Sequence, residues 1–518
     1  MNSPGNNTSK RKPIIVQPHY TQTVYAFLFA ILLIGFGTSC NNASNNSKKA
    51  KVDSLPVQEK PSDSNLQMLR DAQKIYTGDF DTMMKRQIIR VLVPYSRTLF
   101  FNDKGKESGI TADNIRDFEQ FLNKKYRKQL NDIPFTIGFI PTPRNLLIPN
   151  LLRGLGDIAA GNLTATEKRL LQVDFIAPKE LGPVSEIVVT RKTTKPITHI
   201  EQLSGKTIFV RKSSSYFESL QKLNDSLKAK GKDTVELDLV SDNLEDEDLM
   251  EMLDAGIISA IVVDEWMAKM WAQILPSIQL HTKAPISTGG YIGYAFRKNS
   301  PLLYAELKDF FYNYAQPSGN MTYRFKKYYK NVKRLQDPTN NTNSKRYREI
   351  MELFKKYGTQ YDFDPLMLAA MGFQESQLDQ SQRSPAGAIG VMQVTPGTGA
   401  SMKVGDITVT EPNIHAGTKY MELLMTEYFK DAHFDMFNRS LFAFASYNAG
   451  PTRMVRLRKL AAERGYDPDV WLNSVEIIVS EEVGRETTTY VRNIMKYYYS
   501  YKWMIELANK RKKHKAEF

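Results

Sequence analysis

The sequence predicts a multidomain protein in which a mixed α/β domain is followed by an all-α domain. Short β-strand patterns alternate with helical patterns between residues 86 and 314, which is typical of α/β domains with largely parallel sheets. From Arg346 onward the pattern is helical throughout. A length of 518 residues is enough for two or three domains that each bury a core of their own.

The α/β pattern opens with an apolar run at residues 88–93, which is typical of a buried strand. Further strands are predicted at residues 135–140, 157–160, 187–190, 207–210 and 259–263. Helices are predicted at residues 114–125, 216–230 and 245–255. Pro-, Asn- and Ser-rich stretches within residues 316–345 then indicate turns and a linker. We predict five segments: a signal peptide (1–40), a disordered tether (41–80), the α/β domain (86–331), a linker (332–345) and the all-α domain (346–510).

The N-terminus has the pattern of an export signal. Residues 24–37 are apolar and follow the basic residues 10–12, but the run is shorter than the ~20 apolar residues of a transmembrane helix. Cys40 is the only cysteine of the chain and comes directly after small residues, which resembles the lipid-attachment site of bacterial lipoproteins. Gly37 stands where that pattern usually has leucine, and a plain signal peptide or an uncleaved anchor is the alternative. We expect a lipid-anchored protein of the outer membrane that faces the periplasm.

The formal net charge of +14 favours an acidic partner such as nucleic acid, anionic lipid or a cell-wall polymer. Because the sequence contains no zinc-finger spacing, P-loop or RNA-binding signature, we expect no nucleic-acid partner. The six histidines are scattered and form no His-x-x-x-His pair, so neither a metal site nor a cofactor is expected.

Glu375 is the candidate for acid catalysis. Asp364 and Pro365 predict the start of a helix, and Leu368, Met371 and Glu375 lie on one face of it. A carboxylic acid in apolar surroundings has a raised pKa and can serve as a general acid near neutral pH. The alternative is that the helix ends there and Glu375 simply reaches water.

Three later segments carry the amides, hydroxyls and aromatic rings that a sugar-binding cleft requires. Glycines surround Met392 and Gln393 in residues 387–399, Tyr447 and Asn448 end an apolar helix, and residues 485–501 supply Glu486 and Tyr490. With Glu375 the motifs read Glu375-Ser376, Gly390-Val391-Met392-Gln393, Ser446-Tyr447-Asn448-Ala449-Gly450 and Glu486-Thr487-Thr488-Thr489-Tyr490-Val491. In these four points the sequence resembles the soluble lytic transglycosylase family, although Val391 replaces a leucine and Ser446 an alanine.

The resemblance implies a goose-type-lysozyme-like fold and cleavage of the β-1,4 bond between N-acetylmuramic acid and N-acetylglucosamine in peptidoglycan strands. A 1,6-anhydromuramoyl end would form, with Glu375 as acid and then as base. The substrate-binding residues it implies are Ser376, Met392, Gln393, Tyr447, Asn448, Glu486 and Tyr490. Ser376 either bonds the acid or caps the turn, and core packing is an equally good interpretation of Met392.

Residues 156–178 resemble the periplasmic solute-binding proteins for amino acids, in which a strand ends in a polar loop followed by Thr-x-x-Arg. This implies a two-lobed domain with a ligand between the lobes. An arginine can bind a carboxylate in bidentate fashion, and an aspartate can pair with an ammonium group. The candidate ligand-binding residues are Asn162, Thr164, Arg169, Ser214, Ser215 and Asp264. The alternatives are an interlobe salt bridge for Arg169 and a helix N-cap for Asp264.

Both modules in this order behind a lipid anchor resemble membrane-bound lytic transglycosylases, in which the binding domain is thought to regulate the catalytic one. The regulatory ligand would be an amino acid or a muropeptide. Two other functions stay open from the sequence: a lysozyme-type hydrolase that uses water, and a non-catalytic solute-binding or sensor protein.

Overall fold

The computed structural model describes residues 74–130, 133–177, 182–314 and 335–516. The predicted signal peptide, Cys40 and most of the predicted tether lie outside the described residues. No helix in the described part of the chain is long and apolar enough to cross a membrane.

The first lobe of the α/β domain is built on a five-stranded sheet with the order β4-β1-β5-β13-β6. Its elements are α1 (Phe80–Arg86), β1 (Ile88–Val93), β2 (Phe101–Asp103), β3 (Lys106–Ser108), α2 (Ile110–Lys125), β4 (Thr136–Pro141), α3 (Leu147–Leu152), β5 (Ile158–Thr164), α4 (Glu167–Leu170) and β6 (Val173–Ile176), and β13 (Ile292–Arg297) and α8 (Pro301–Asp309), which come later in the chain. All six residues of β1 are buried, as expected for a central strand covered on both faces. Strands β2 and β3 form a separate two-stranded hairpin.

The second lobe lies between β6 and β13 in the sequence and has its own sheet, with the order β11-β7-β10-β8-β9 and β12 beside β7. Its elements are β7 (Val184–Arg191), β8 (Thr207–Arg211), α5 (Ser215–Ala229), β9 (Glu236–Val240), α6 (Asp246–Ala255), β10 (Ala260–Asp264), α7 (Glu265–Trp271), β11 (Ile278–Leu280) and β12 (Ser287–Gly290). The chain passes from the first lobe to the second and returns through β13. The predicted two-lobed α/β architecture is thus confirmed.

All six predicted strands are present, but the sheets are more mixed than the sequence analysis expected. Strand β13 pairs antiparallel with both β5 and β6, and β7 pairs antiparallel with β10 and β11. Strand β7 follows the passage into the second lobe and β13 follows the passage back, so each enters its sheet from the opposite direction. Side-chain alternation records burial and not strand direction, so the sequence carried no sign of this.

The C-terminal domain is helical, as predicted. It comprises α9 (Asn341–Tyr361), α10 (Pro365–Ser376), α11 (Pro396–Met402), α12 (Thr410–Tyr428), α13 (Met436–Ala449), α14 (Pro451–Glu463), α15 (Glu476–Glu482) and α16 (Arg485–Ala516). Helix α9 starts within the range 332–345 that the sequence analysis assigned to a linker. Helix α10 is buried along most of its length, because nearly all its residues are apolar, and it packs against α9 and α16.

Helix α6 of the second lobe forms salt bridges with the C-terminal domain. Its Asp248 and Glu251 are buried and accept from Lys496 of α16 at 2.8 and 2.7 Å. Arg97 of the first lobe lies 2.6 Å from the same Glu251. Buried carboxylates are tolerated only with such partners, so the contact fixes α16 against both lobes in this conformation.

A buried ion cluster holds the first lobe together. Asp157 is fully buried and accepts from the main chain and guanidinium of fully buried Arg90, at 2.8–3.0 Å. Arg297 and Arg86 lie 3.3 and 3.6 Å from the same carboxylate. One carboxylate thus lies among three arginines, of which Arg90 has no access to water.

We expect Asp157→Ala to destabilise the protein by about 3–5 kcal/mol, because it leaves Arg90 buried without its carboxylate. Urea denaturation of the soluble form that starts after Cys40 would measure the free energy of unfolding. The matched control is Asp174→Ala, which removes a half-exposed carboxylate paired with Lys298 and should cost about 1 kcal/mol or less. Equal losses for the two variants would contradict the role of the buried cluster.

Candidate active site

Helix α10 carries Glu375 at its C-terminal end, where the helix leaves the core. The Asp364 side chain caps the helix by accepting from the main-chain N–H of Leu366 at 2.8 Å, and Pro365 occupies the first turn, as the sequence predicted. The helix ends where Gln377 adopts a left-handed conformation, with φ 56°. Glu375 therefore lies in the last turn and is half-buried, which combines both sequence interpretations of this residue.

The environment of Glu375 favours the protonated acid. Burial raises the pKa of its carboxyl from the usual 4.5 to about 7, and a hydrogen bond from Tyr490 opposes part of that rise. The Tyr490 hydroxyl donates to Oε1 at 2.5 Å. No lysine or arginine pairs with this carboxyl within the described ranges. A carboxyl with a pKa near 7 can both donate and accept a proton at neutral pH.

Two tyrosines line the acid. Burial and the nearby Glu375 raise the pKa values of Tyr447 and Tyr490 well above 10, so both stay neutral hydrogen-bond donors. Tyr447, near the end of α13, donates to the main-chain oxygen of Met392 at 2.8 Å. Tyr490 thus bonds the acid itself, and Tyr447 bonds the loop at residues 389–394, which we call the Met-Gln loop.

The Met-Gln loop is fixed by buried polar side chains. Asn413 is fully buried, accepts from the Met392 N–H at 2.8 Å and donates to Ile389 O at 2.8 Å. Gln380 accepts from the Val391 N–H at 3.1 Å. Asn413 and Gln380 were not among the predicted site residues, although Asn413 lies in a segment that also resembles the family.

Ser376 and Met392 lie beside the acid but turn away from it. The Ser376 hydroxyl donates to the main-chain oxygens of Gly372 and Val391 at 3.2 and 2.9 Å, so it ties the helix end to the Met-Gln loop and does not bond Glu375. Met392 is fully buried, and a Cβ on Gly417 would lie 2.7 Å from the Cβ of Met392. The packing interpretation of Met392 therefore describes its side chain.

The remaining predicted residues are at least partly exposed to solvent. Asn448 is exposed and accepts from Thr487 of α16 at 3.0 Å. Gln393 has a positive φ of 47° and donates to Gly390 O at 2.9 Å. Glu486 is exposed in the first turn of α16, and no described contact joins it to Glu375. Thr487 belongs to the last of the four sequence motifs. Nothing in the sequence indicated that its hydroxyl would bond Asn448.

The six candidate ligand residues of the α/β domain meet between the lobes, except that Ser214 is used as a helix cap. Arg169 donates to Thr164 O of its own lobe and to Ser213 O of the other lobe, at 2.9 and 3.0 Å. Ser215 donates to the Thr164 hydroxyl at 3.2 Å, also across the lobes. Ser214 instead accepts from the N–H of Phe217 and begins α5. Arg169 thus bridges the lobes through carbonyl groups and not through the salt bridge considered from the sequence.

Asp264 is fully buried in the same cleft. Its Oδ2 accepts from Asn162 at 2.8 Å and from the Tyr216 hydroxyl at 3.0 Å, whereas Oδ1 has no hydrogen-bond partner in the described structure. Burial, and then the charge of Asp246, raise the pKa of Asp264 to about 7. Asp264 stands at the N-cap position of α7, but its side chain does not cap the helix. No cluster of potential metal ligands occurs in the described part of the chain.

Comparisons with known proteins agree with this division. The family model for the Transglycosylase SLT domain matches residues 352–470, and the model for bacterial extracellular solute-binding proteins, family 3, matches residues 89–331. A relative named "Membrane-bound lytic murein transglycosylase F" from Desulfosudis oleivorans is 29% identical over 374 residues, which cover 68% of this chain and 78% of the relative. A relative of the same name from Pseudomonas fluorescens is 26% identical over 439 residues, which cover 81% of this chain and 85% of the relative.

The chain is similar to these relatives over most of its length. A family 3 solute-binding domain precedes a transglycosylase SLT domain, which confirms the predicted domain types and their order. The solved structure of holo ArgBP from T. maritima is 20% identical and covers 45% of this chain and 92% of its own, with a TM-score of 0.35.

We expect Glu375→Gln to become more stable than the wild type as the pH rises. The raised pKa of Glu375 means that its stabilising contribution is complete below about 4.5 and is lost as the pH rises to about 7. Glutamine does not titrate, so the difference in unfolding free energy should grow from near zero at pH 4.5 to on the order of 2 kcal/mol at pH 8. Urea denaturation at several pH values would measure it, and a pH-independent difference would contradict the burial of this acid.

Proposed function

We propose that this chain is a peptidoglycan lytic transglycosylase that cleaves the β-1,4 bond between N-acetylmuramic acid and N-acetylglucosamine. The observation that carries the proposal is Glu375, a half-buried carboxyl with a pKa near 7 in a transglycosylase SLT domain. The named relatives support the same activity. The chain acts in the cell envelope, where peptidoglycan lies.

In the proposed reaction Glu375 acts twice. The protonated carboxyl first gives its proton to the glycosidic oxygen while the bond from that oxygen to C1 of N-acetylmuramic acid breaks. The C6 hydroxyl of the same sugar then bonds to C1, and the Glu375 carboxylate takes up the hydroxyl proton. A 1,6-anhydromuramoyl end forms without water, and the enzyme returns to its starting protonation state. A pKa near 7 suits both steps, because neither protonation state of the carboxyl is strongly disfavoured.

The reaction needs no second carboxylate, and none of the described acids is placed for one. Asp379 follows one turn after Glu375 but accepts from Ser381 and pairs with Arg346 at 2.7 Å, and these contacts lower its pKa, the bond from Ser381 most of all. Glu486 is exposed to solvent in the first turn of α16. Hydrolases that use water to cleave a glycosidic bond usually place two carboxyl groups about the bond. This contrast favours the transglycosylase over the lysozyme-type hydrolase.

We assign the remaining residues supporting roles in this reaction. Tyr490 orients the acid through its hydrogen bond, and Tyr447 fixes the Met-Gln loop. Asn448, Gln393 and Glu486 are at least partly exposed and would contact the polar groups of the glycan strand. Ser376 and Met392 act from behind the site, by holding the loop in place.

We expect the wild-type protein to release anhydromuramoyl products from purified peptidoglycan, and Glu375→Gln to lose at least about 1000-fold in rate, because the amide cannot donate a proton to the leaving oxygen. Mass spectrometry of the soluble fragments would identify the products. Asp379→Asn is the matched control, since it alters a carboxylate four residues away that is engaged elsewhere, and it should retain activity.

The products also decide between the alternatives. Reducing ends from the wild type would support a hydrolase. Absence of products from the wild type, with and without added muropeptide, would support the non-catalytic binding protein.

We further propose that the α/β domain, residues 86–331, is regulatory and is joined by residues 332–345 to a catalytic domain spanning residues 346–510. Its ligand would be an amino acid or a muropeptide end, with the carboxylate bound by Arg169 and the ammonium group by the unpartnered Oδ1 of Asp264. Arg169 would exchange its two carbonyl contacts for the ligand. We also propose that Cys40 carries a lipid that anchors the chain to the outer membrane, facing the periplasm.

We expect muropeptide to change the cleavage rate of the wild type and not that of Arg169→Gln, which loses the planar group that binds a carboxylate. The initial rate of product release against muropeptide concentration is the measurement. Lys168→Gln is the matched control, because Lys168 is exposed on the same short helix and should leave the response intact. A flat titration of the wild type would contradict regulation by this ligand.

A further inference from the structure

The last helix, α16, begins without a cap of its own. It starts at Arg485, directly after Gly484, whose φ is +108° and which has no side chain to accept a hydrogen bond. The first N–H groups of a helix lack partners within the helix and are usually satisfied by a capping side chain. The cap of α16 must therefore come from elsewhere in the chain.

That cap is supplied by the other domain. Asp103, at the end of β2 in the first lobe, accepts from the Arg485 N–H at 3.2 Å, although the two residues are 382 positions apart. Its other oxygen lies 3.6 Å from the Arg485 Nε. A carboxylate at this end of a helix also interacts favourably with the helix dipole.

The β2–β3 hairpin is fitted to the turn between α15 and α16. The Lys104 N–H donates to Ser480 O at 2.9 Å, and the Arg485 guanidinium lies 4.5 Å from the centre of the Phe101 ring. A Cβ at Gly484 would lie 3.0 Å from Lys104 Cε and 3.1 Å from Asp103 Oδ1. A glycine there allows the hairpin to approach so closely.

The first turns of α16 are the part that reaches the active site. Thr487 donates to Asn448, and Tyr490 donates to Glu375. Tyr490 lies only five residues after the capped N–H, which is less than one and a half turns of helix. Fraying of the first turn would therefore displace both contacts.

We propose that Asp103 is a positioning residue for the transglycosylase reaction: from the α/β domain it caps α16 and so holds Tyr490 against the catalytic acid. The inference rests on the proposed function of Glu375. It makes the hairpin of the binding domain a part of the catalytic apparatus, although it touches no substrate. An SLT domain without the hairpin would retain Glu375 but would lose the cap on the helix that orients it.

The test compares four variants with the wild type, all as full chains: Asp103→Ala, Asp103→Asn, Tyr490→Phe and the Asp103→Ala/Tyr490→Phe double variant. The measurement is the rate of anhydromuramoyl release from peptidoglycan as a function of pH, with the thermal unfolding midpoint of each variant. Asp103→Ala should fold, because the Asp103 side chain is 42% exposed. Asp174→Ala, which removes a similarly exposed carboxylate of the same lobe, is the control.

We expect Asp103→Ala to lower kcat about five-fold, the effect typical of a lost N-cap, with little change in KM. The alkaline limb of its pH profile should move to higher pH, because the Tyr490 bond that lowers the pKa of Glu375 is weakened. Tyr490→Phe should move the limb in the same direction, and the double variant should move it no further. Asparagine caps helices as well as aspartate does, so Asp103→Asn should resemble the wild type.

The titratable groups that face Glu375 are Tyr490 on α16 and Tyr447 on α13, and both remain neutral over this range. A shift of the alkaline limb of the pH profile therefore reports a change in the pKa of Glu375. An Asp103→Ala profile that coincides with the wild type, an Asp103→Asn variant as impaired as the alanine, or additive shifts in the double variant would each overturn the proposal. Failure of the wild type itself to release anhydromuramoyl products would instead contradict the proposed function.

Discussion

The hydrogen bond between Tyr490 and Glu375 is the contact on which the orientation of the candidate acid depends. The acid stands at the end of one helix, is half-buried and has no cation beside it within the described ranges, so only the tyrosine fixes the direction of its carboxyl. A lysine or arginine in that place would stabilise the carboxylate and remove the proton that the reaction needs. A neutral donor orients the group and lowers its pKa only in part. As a consequence, the orientation of the carboxyl depends on the position of α16, the helix that carries Tyr490.

Helix α16 is held at two places by two different lobes. Asp103 of the first lobe caps its start, and Asp248 and Glu251 of the second lobe pair with Lys496, six residues beyond Tyr490. On the same helix α6, Asp246 pairs with Arg211 and accepts from Tyr216, which also bonds Asp264 in the cleft. These polar contacts, together with the backbones of α6 and α16 that link them, form a path from the candidate ligand residues to Glu375. A change in the angle between the lobes would move the two supports of α16 relative to one another, which gives the proposed regulation a physical route.

Local sequence signals sufficed for much of the fold and for the surroundings of Glu375. The Asp364-Pro365 start predicted α10, and the apolar face of that helix predicted the raised pKa of Glu375, because both depend on neighbours within a few residues. The directions of β7 and β13 were not predictable, since burial patterns do not record direction. Nor was the inward packing of Met392, whose motif is compatible with a substrate contact or with the core. The contact of Asp103 with Arg485 was the least predictable, because nothing in either segment indicates a partner 382 residues away.

The alternative of hydrolysis is opposed by the geometry around the acid as well as by the motifs. A hydrolase of the usual kind needs a second carboxyl group that activates water or bonds the sugar. Asp379 is committed to Arg346 and to the turn after α10, and Glu486 projects to solvent from a helix whose inward positions are taken by Thr487 and Tyr490. Both Tyr447 and Tyr490 are neutral donors and cannot replace a base at neutral pH. With a single acid that ionises near pH 7, the proton given to the leaving oxygen is most simply recovered from the sugar's own hydroxyl, and that recovery is what closes the anhydro ring.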